Sequence, residues 1–251
     1  MFGTLRAIYR LVLFPLLIFL VLGYYVLTAP LFGMNLKRIL PIRKNWAKMA
    51  TWFLGIQIEV KGNLPTEPSL LVYNHRSYID LFAAFQHIEA IPVGKAEVSK
   101  WPVIGLAGKM TGAIFVDRGN KNSRKATRDA IAQTLKEGHH VIIYPEGTSH
   151  IEAQTIDFKI GSFEVAAAEG FPVVPVAVDY EYLKEAAFVD DDEFLGHFLK
   201  CFRRRKIPIR FSYGEPLQSG DAQWLMQTAK SWIDHSLKEM EQMIQQKGIK
   251  W

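Results

Sequence analysis

His75 and Asp80 are spaced to act together. The segment Leu70-Leu71-Val72-Tyr73-Asn74-His75-Arg76-Ser77-Tyr78-Ile79-Asp80 runs from an apolar stretch through a polar turn into a helical pattern starting near Ser77. His75 then sits at the carboxyl end of a strand and Asp80 one turn inside the next helix. In an open α/β sheet that edge is where ligands bind. A carboxylate so placed accepts from one imidazole N–H and fixes the tautomer. The other ring nitrogen is left to take a proton from a hydroxyl as its oxygen attacks an acyl carbon. A plainer reading fits the same residues: Ser77 and Asp80 as a capping box, His75 as a satisfied turn residue.

Two further apolar runs end in polar groups. Gly112-Ala113-Ile114-Phe115-Val116-Asp117-Arg118 brings a cation to a strand end, and Tyr144-Pro145-Glu146-Gly147-Thr148-Ser149 brings a carboxylate to a tight turn. Three strand ends offering His, Asp, Arg and Glu form an active site where they converge on one sheet edge. Arg118 alone also fits a surface ion pair.

Such convergence needs a sheet. β-rich runs occur at Ile56 to Val60, Leu70 to Tyr73, Ala90 to Val93, Ala113 to Val116, Val141 to Tyr144, Val173 to Val178 and Ile207 to Tyr213. Helical patterns separate most of them, at Tyr78 to Ile88, Ser123 to Glu137 and Ser162 to Glu169, and a last helix covers Ala222 to Gln246. This alternation predicts an α/β fold, a central mixed sheet of about seven strands flanked by helices. The expected division is a membrane-anchoring part, residues 1–55, and a catalytic domain, residues 56–251. An irregular insert, 181–205, carries Phe194, Leu195, Phe198, Leu199 and Phe202 ahead of a basic run; it reads equally as a second membrane contact or as a core helix.

The anchor expectation rests on Leu11 to Leu36, a stretch without a charged residue and long enough to cross a hydrocarbon core of about 30 Å. Pro15 and Gly23 leave open a helix that re-enters instead. Basic residues dominate its C-terminal flank, Lys37, Arg38, Arg43, Lys44 and Lys48, which predicts an inner-membrane protein with the bulk of the chain facing the cytosol. Beyond Pro41, Ile42, Trp46, Met49 and Phe53 recur at helical spacing, with Arg43, Lys44 and Lys48 expected on the opposite, lipid-headgroup face; a surface helix packed on its own domain fits the same residues.

Composition narrows the classes further. The 251 residues are 49% hydrophobic with a net charge of +5 and a pI of about 9.2. The single cysteine, Cys201, excludes an internal disulfide. Neither cysteines nor histidines stand at zinc-ligand spacing, so no metal is expected. The basic balance is shared with nucleic-acid binders, but no motif of that class is present and the apolar stretch opposes it, so no nucleic acid is expected.

With its motifs in view, the chain resembles the glycerolipid acyltransferase family typified by bacterial lysophosphatidic acid acyltransferase. Asn74-His75 with Asp80 is similar to the first family block, Gly112 to Arg118 to the second, Tyr144 to Thr148 to the third, and Phe171-Pro172-Val173-Val174-Pro175-Val176 to the fourth, in family order and spacing. The blocks cover roughly residues 70 to 180, and Gly214-Glu215-Pro216-Leu217 adds to the likeness.

The resemblance implies a membrane-bound O-acyltransferase moving a fatty acyl group from acyl-CoA or acyl carrier protein to a lysolipid hydroxyl, with no bound cofactor and membrane lipids as partners. It implies His75 as base, Asp80 as its orienter, and Asn74, Lys95, Arg118, Glu146, Gly147, Thr148 and Ser149 around the substrates. Lys95 would stabilise an oxyanion and Arg118 hold negative charge; an ordinary solvated lysine fits Lys95 as well. In one place the chain departs from the family. Enzymes with phosphate-bearing acceptors usually carry an arginine after Glu-Gly-Thr, and here Ser149 stands there. A serine cannot grip a phosphomonoester bidentately. The acceptor expectation is therefore divided between lysophosphatidate, with Lys109, Arg118 or Arg124 supplying the charge, and a lyso-aminolipid of the lyso-ornithine or acyl-glycine type. A membrane lipid-binding protein without catalysis is the alternative of another class, opposed by the intact His75 and Asp80.

Overall fold

The protein is described by a computed structural model covering residues 2–117, 119–189 and 192–246. Seven strands form one sheet: β1 (Ile56–Lys61), β2 (Leu70–Tyr73), β3 (Ala90–Lys95), β4 (Ile114–Val116), β5 (His140–Ile143), β6 (Val173–Tyr180) and β7 (Ile207–Tyr213). Their spatial order is β1-β7-β6-β2-β5-β3-β4. All neighbours pair parallel except β6 and β7. The five strands β2 to β6 thus run the same way and present their carboxyl ends at one edge. The chain passes from β2 toward the β3 side and from β5 to the β6 side, so a switch point falls at the central strand β2.

Ten α-helices accompany the sheet among the described residues: α1 (Phe2–Leu27), α2 (Ala29–Phe32), α3 (Leu36–Leu54), α4 (Ile79–Phe85), α5 (Ile104–Met110), α6 (Lys121–Lys136), α7 (Gly161–Glu169), α8 (Leu183–Ala186), α9 (Phe194–Phe202) and α10 (Ala222–Gln246). Period-two alternation divides the strand side chains between two cores. Leu71, Tyr73, Ile142, Val174, Val176 and Val178 join α1, α3, α4 and α9, whereas Leu70, Val72, Val141, Ile143, Val173 and Ala177 join α6, α7 and α10.

The N-terminal helices are part of the first core. In α1, Ala7, Phe14, Ile18 and Leu22 form an i, i+4 stripe buried in the same cluster as the sheet. Arg10 ties the helix down, donating from its guanidinium to the carbonyls of Phe53 at 3.2 Å, Phe202 at 3.1 Å and Arg204 at 2.7 Å. The opposite stripe, with Leu5, Ile8, Val12, Leu16, Phe19 and Leu20, is exposed. Helix α3 opens on Asn35, whose side chain accepts from the Arg38 amide, so it starts before Pro41 rather than after it.

The faces of α3 also differ from expectation. Arg43 is buried, its guanidinium 3.7 Å from the Phe85 ring centroid and donating to the Ala90 carbonyl. Its position follows from helical geometry, because Arg43 lies three or four residues from the buried Ile39, Leu40, Trp46 and Ala47. Met49 is exposed instead. In the insert, α9 buries Phe198, Cys201 and Phe202 against α1 and leaves Phe194 and Leu195 partly exposed.

Candidate active site

β2 delivers His75 to the carboxyl edge, and the turn into α4 brings Asp80 back beneath it. His75 Nδ1 lies 2.9 Å from Asp80 Oδ2. Oδ2 also accepts from the backbone amides of Arg76 at 2.8 Å and Ser77 at 2.9 Å, and Oδ1 accepts from the Tyr180 hydroxyl at the end of β6. Both readings of the spacing therefore hold at once: one carboxylate caps the turn and faces the imidazole. Asp80 is fully buried, and these donors supply what water would otherwise give a charge in that position. Burial raises the Tyr180 hydroxyl well above the usual tyrosine range, and the Asp80 charge adds to the shift. Tyr180 thus remains a donor. With an acceptor carboxylate at Nδ1, the hydrogen of a neutral His75 ring resides there and Nε2 is left bare.

The neighbouring residues fix the rest of the edge. Asn74 bridges from β2 to β6, donating to the Val178 carbonyl at 2.9 Å and accepting from the Val178 amide at 2.7 Å; it is a buried strut. The Tyr144 ring lies 4.2 Å from the His75 ring at 31°. At the end of β5 the Gly147 amide closes the Tyr144 turn with a 3.0 Å hydrogen bond, and Gly147 has φ +82°, a conformation that favours glycine. Glu146 points inward, with Oε2 accepting from the His75 amide at 2.6 Å and Oε1 2.8 Å from His150 Nε2. Ser149 Oγ donates to the Phe188 carbonyl.

A cavity of about 350 Å³ opens beside His75. Its polar mouth carries His75, Tyr144, Gly147, Thr148, Ser149 and the exposed Lys95. The rest of its wall is mostly apolar, with Phe14 and Ile18 of α1, Trp46 of α3, Phe82 and Phe85 of α4, and Ile104 and Ala107 of α5, and it also includes the buried Arg43. The structure therefore brings His75, Asp80, Lys95, Gly147, Thr148 and Ser149 to one place. Asn74 and Glu146 lie behind that surface, absent from the cavity wall. Arg118 lies outside the described residues. Lys109 and Arg124 are exposed and are not among the residues of the wall. Among the described residues no group of three His, Cys, Asp or Glu side chains is arranged to hold a metal ion.

Four residues of the site are not singled out by the sequence reading. Tyr180 reaches Asp80 across 100 positions. Arg76 is 1% exposed and donates to the carbonyls of His150 at 3.3 Å and Glu152 at 2.6 Å. Asp179 sits 3.9 Å from Arg76 Nε, and burial pushes its carboxyl up to about 6 against the pull of that guanidinium. His150 follows the Glu-Gly-Thr-Ser turn, and the i, i+4 spacing from Glu146 was the one available signal.

Comparison with known proteins adds the following. A family described as Acyltransferase matches residues 55–179. The chain is 28% identical over 198 residues to the lyso-ornithine lipid O-acyltransferase of Rhizobium meliloti, covering 71% of this chain and 67% of that one. It is likewise 28% identical over 190 residues to the lyso-ornithine lipid O-acyltransferase of Pseudomonas aeruginosa, covering 72% and 73%. It is 31% identical over 129 residues to the 1-acyl-sn-glycerol-3-phosphate acyltransferase of Neisseria gonorrhoeae, covering 51% of each. The crystal structure of the 1-acyl-sn-glycerophosphate acyltransferase of Thermotoga maritima shares the fold, with a TM-score of 0.74 at 18% identity over 94% of this chain and 95% of that one.

Proposed function

The chain belongs to the acyltransferase family, and from that premise we propose that it transfers a fatty acyl group from a thioester donor to the free hydroxyl of a lysolipid at a membrane surface. One observation carries the reading: His75, with its Nδ1 committed to Asp80, lines a mostly apolar cavity. An acyl chain fills the cavity and leaves its thioester carbonyl beside the imidazole.

The proposed reaction follows from that placement. The acceptor hydroxyl oxygen attacks the thioester carbon, forming the C–O bond, while His75 Nε2 takes its proton. Asp80, held by two amides and Tyr180, orients the ring and stabilises the imidazolium. Lys95 at the mouth faces the oxyanion or the donor's phosphates. As the tetrahedral intermediate collapses, the C–S bond breaks and the imidazolium returns the proton to the departing thiolate. The donor is acyl-CoA or acyl carrier protein, and no cofactor takes part in the scheme.

We place the acceptor at the Gly147–Ser149 turn, which lines the cavity with His75, and favour a lyso-aminolipid of the lyso-ornithine type. Ser149 is a neutral group whose hydroxyl is already given to Phe188, and two relatives acting on lyso-ornithine lipid match 67% and 73% of their length. Lys95 on the wall supports a second reading, lysophosphatidate.

The exposed stripe of α1 supports membrane association. The helix is 26 residues, about 39 Å long, and its other face is packed on the domain from Ala7 to Leu22. A crossing helix would have to leave that core. We therefore read α1 as lying in one leaflet with its exposed apolar stripe in lipid, at the cytosolic face of the inner membrane.

The test is thiol release and product formation by the full-length protein in vesicles, with lyso-ornithine lipid and lysophosphatidate offered separately and His75→Ala as control. Transfer to the aminolipid that vanishes in the variant supports the reading. Transfer only to lysophosphatidate replaces its acceptor, and transfer independent of His75 refutes its mechanism.

A further inference from the structure

The turn Gly147–Ser149 lines the cavity, yet the carboxylate beside it is buried, absent from the cavity wall, and engaged at both oxygens. Glu146 Oε2 accepts from the His75 amide and Oε1 faces His150 Nε2. Hydrogen-bond accounting fixes the His150 tautomer. The Glu152 backbone amide, which can only donate, lies 3.2 Å from Nδ1, and Arg76 Nη1 lies 3.3 Å from the same atom. Nδ1 is therefore the acceptor, and Nε2 carries the hydrogen that it donates to Glu146. The His150 amide in turn donates to the His75 carbonyl at 3.2 Å. Arg76 closes the circuit: its side chain holds the His150 and Glu152 carbonyls, while its own amide donates to Asp80. Arg76, Glu146 and His150 are all buried, at 1%, 4% and 9% exposure.

We propose that Arg76, Glu146 and His150 form a clasp that bridges the base of the Gly147–Ser149 turn and holds it at a fixed distance from His75, making His150 a positioning residue for the acceptor lipid. Residues 146 and 150 are joined directly by a 2.8 Å hydrogen bond across the turn. Both ends are bonded to the backbone of His75, through its amide and its carbonyl. Movement of the turn is therefore tied to movement of the base. Of this turn, the acceptor headgroup meets the backbone and the Thr148 and Ser149 side chains, and the buried carboxylate acts through the clasp. A buried hydrogen-bond network of this kind holds geometry through its links and loses it when one is removed.

The inference rests on the reading that this turn receives the acceptor, and its test separates the two. His150→Ala removes the link, whereas His150→Gln keeps an N–H donor toward Glu146 and an oxygen acceptor toward Arg76 and Glu152. The expected result for the alanine variant is an acceptor KM raised about tenfold, equivalent to about 1.4 kcal/mol, with the donor KM and the acid limb of the pH–rate profile unchanged. The glutamine variant recovers most of that loss. Hydrogen exchange at amides 147–150 is expected to speed up in His150→Ala and to stay near wild type in His150→Gln. Equal behaviour of the two variants, or donor and acceptor KM rising together, overturns the clasp. Where the wild type transfers no acyl group to any lysolipid, the functional reading falls, and the exchange data alone decide the clasp: unchanged protection in His150→Ala refutes it.

Discussion

The two faces of the sheet are built from alternate residues of the same strands and serve different ends. On one face Leu70, Val72, Val141 and Ala177 meet α6, α7 and α10 in a closed core. On the other, Leu71, Tyr73, Val174 and Val176 meet α1, α3, α4 and α9, and this side holds the cavity and continues into the exposed apolar stripe of α1. The strands do not decide which face becomes which, because both sets are apolar. The helices decide: those of the closed face turn charged and amide side chains outward, while α1 has no charged residue after Arg10.

The largest effect that would sharpen this comparison lies at the cavity mouth. His75→Ala is expected to lower kcat for acyl transfer by about 10² to 10⁴-fold, the range for loss of a general base, with only a modest fall in the melting temperature because buried Asp80 keeps the Arg76 and Ser77 amides and the Tyr180 hydroxyl as donors. A steady-state assay beside a thermal melt checks both halves. The converse holds on the closed face. Ala177 is fully buried there, and Ala177→Phe overpacks it at a cost of about 1 to 3 kcal/mol. Denaturant melts should register that loss while the remaining activity keeps its donor chain-length profile. A changed profile would break the distinction between the faces.

Much of this architecture is legible in the residues. Leu70–Tyr73 and Ile207–Tyr213 coincide with the strands expected from them, and the last helix runs from Ala222 to Gln246 as its periodicity indicates. Strong apolar runs bounded by turn residues carry that information locally. The His75 to Asp80 contact is also local, five residues apart within one strand-turn-helix unit. Arg43 misled for a physical reason: a guanidinium counts as polar in any pattern, but here it covers the Phe85 ring and satisfies the Ala90 carbonyl. Tyr180 and Asp179 were not legible as site residues, because both lie on a strand buried along its whole length. Only the pairing of β2 with β6 brings them to Arg76 and Asp80.

A smaller, pH-linked effect concerns that same buried strand. The Asp179 carboxyl is pushed from 3.8 to about 6 by burial. Between those values the folded chain holds a proton that the unfolded chain has lost, so stability falls as pH rises through the window. Asp179→Asn lacks this slope. Its stability relative to wild type should therefore grow from pH 4 to pH 7, by at most about 3 kcal/mol. Melts of the two proteins across that range check the sign, and parallel curves would place the Asp179 ionisation elsewhere.

The most direct test of the central claim, that the cavity on the α1 side holds the donor's acyl chain, is the donor chain-length profile of Ala113→Phe. Ala113 is half-buried in the cavity wall, just before β4. A phenyl ring added there shortens the space available. The account predicts a shift of the preferred donor to shorter acyl chains, with kcat on the short donors retained. A uniform fall across all chain lengths would contradict it and place the acyl chain outside the cavity.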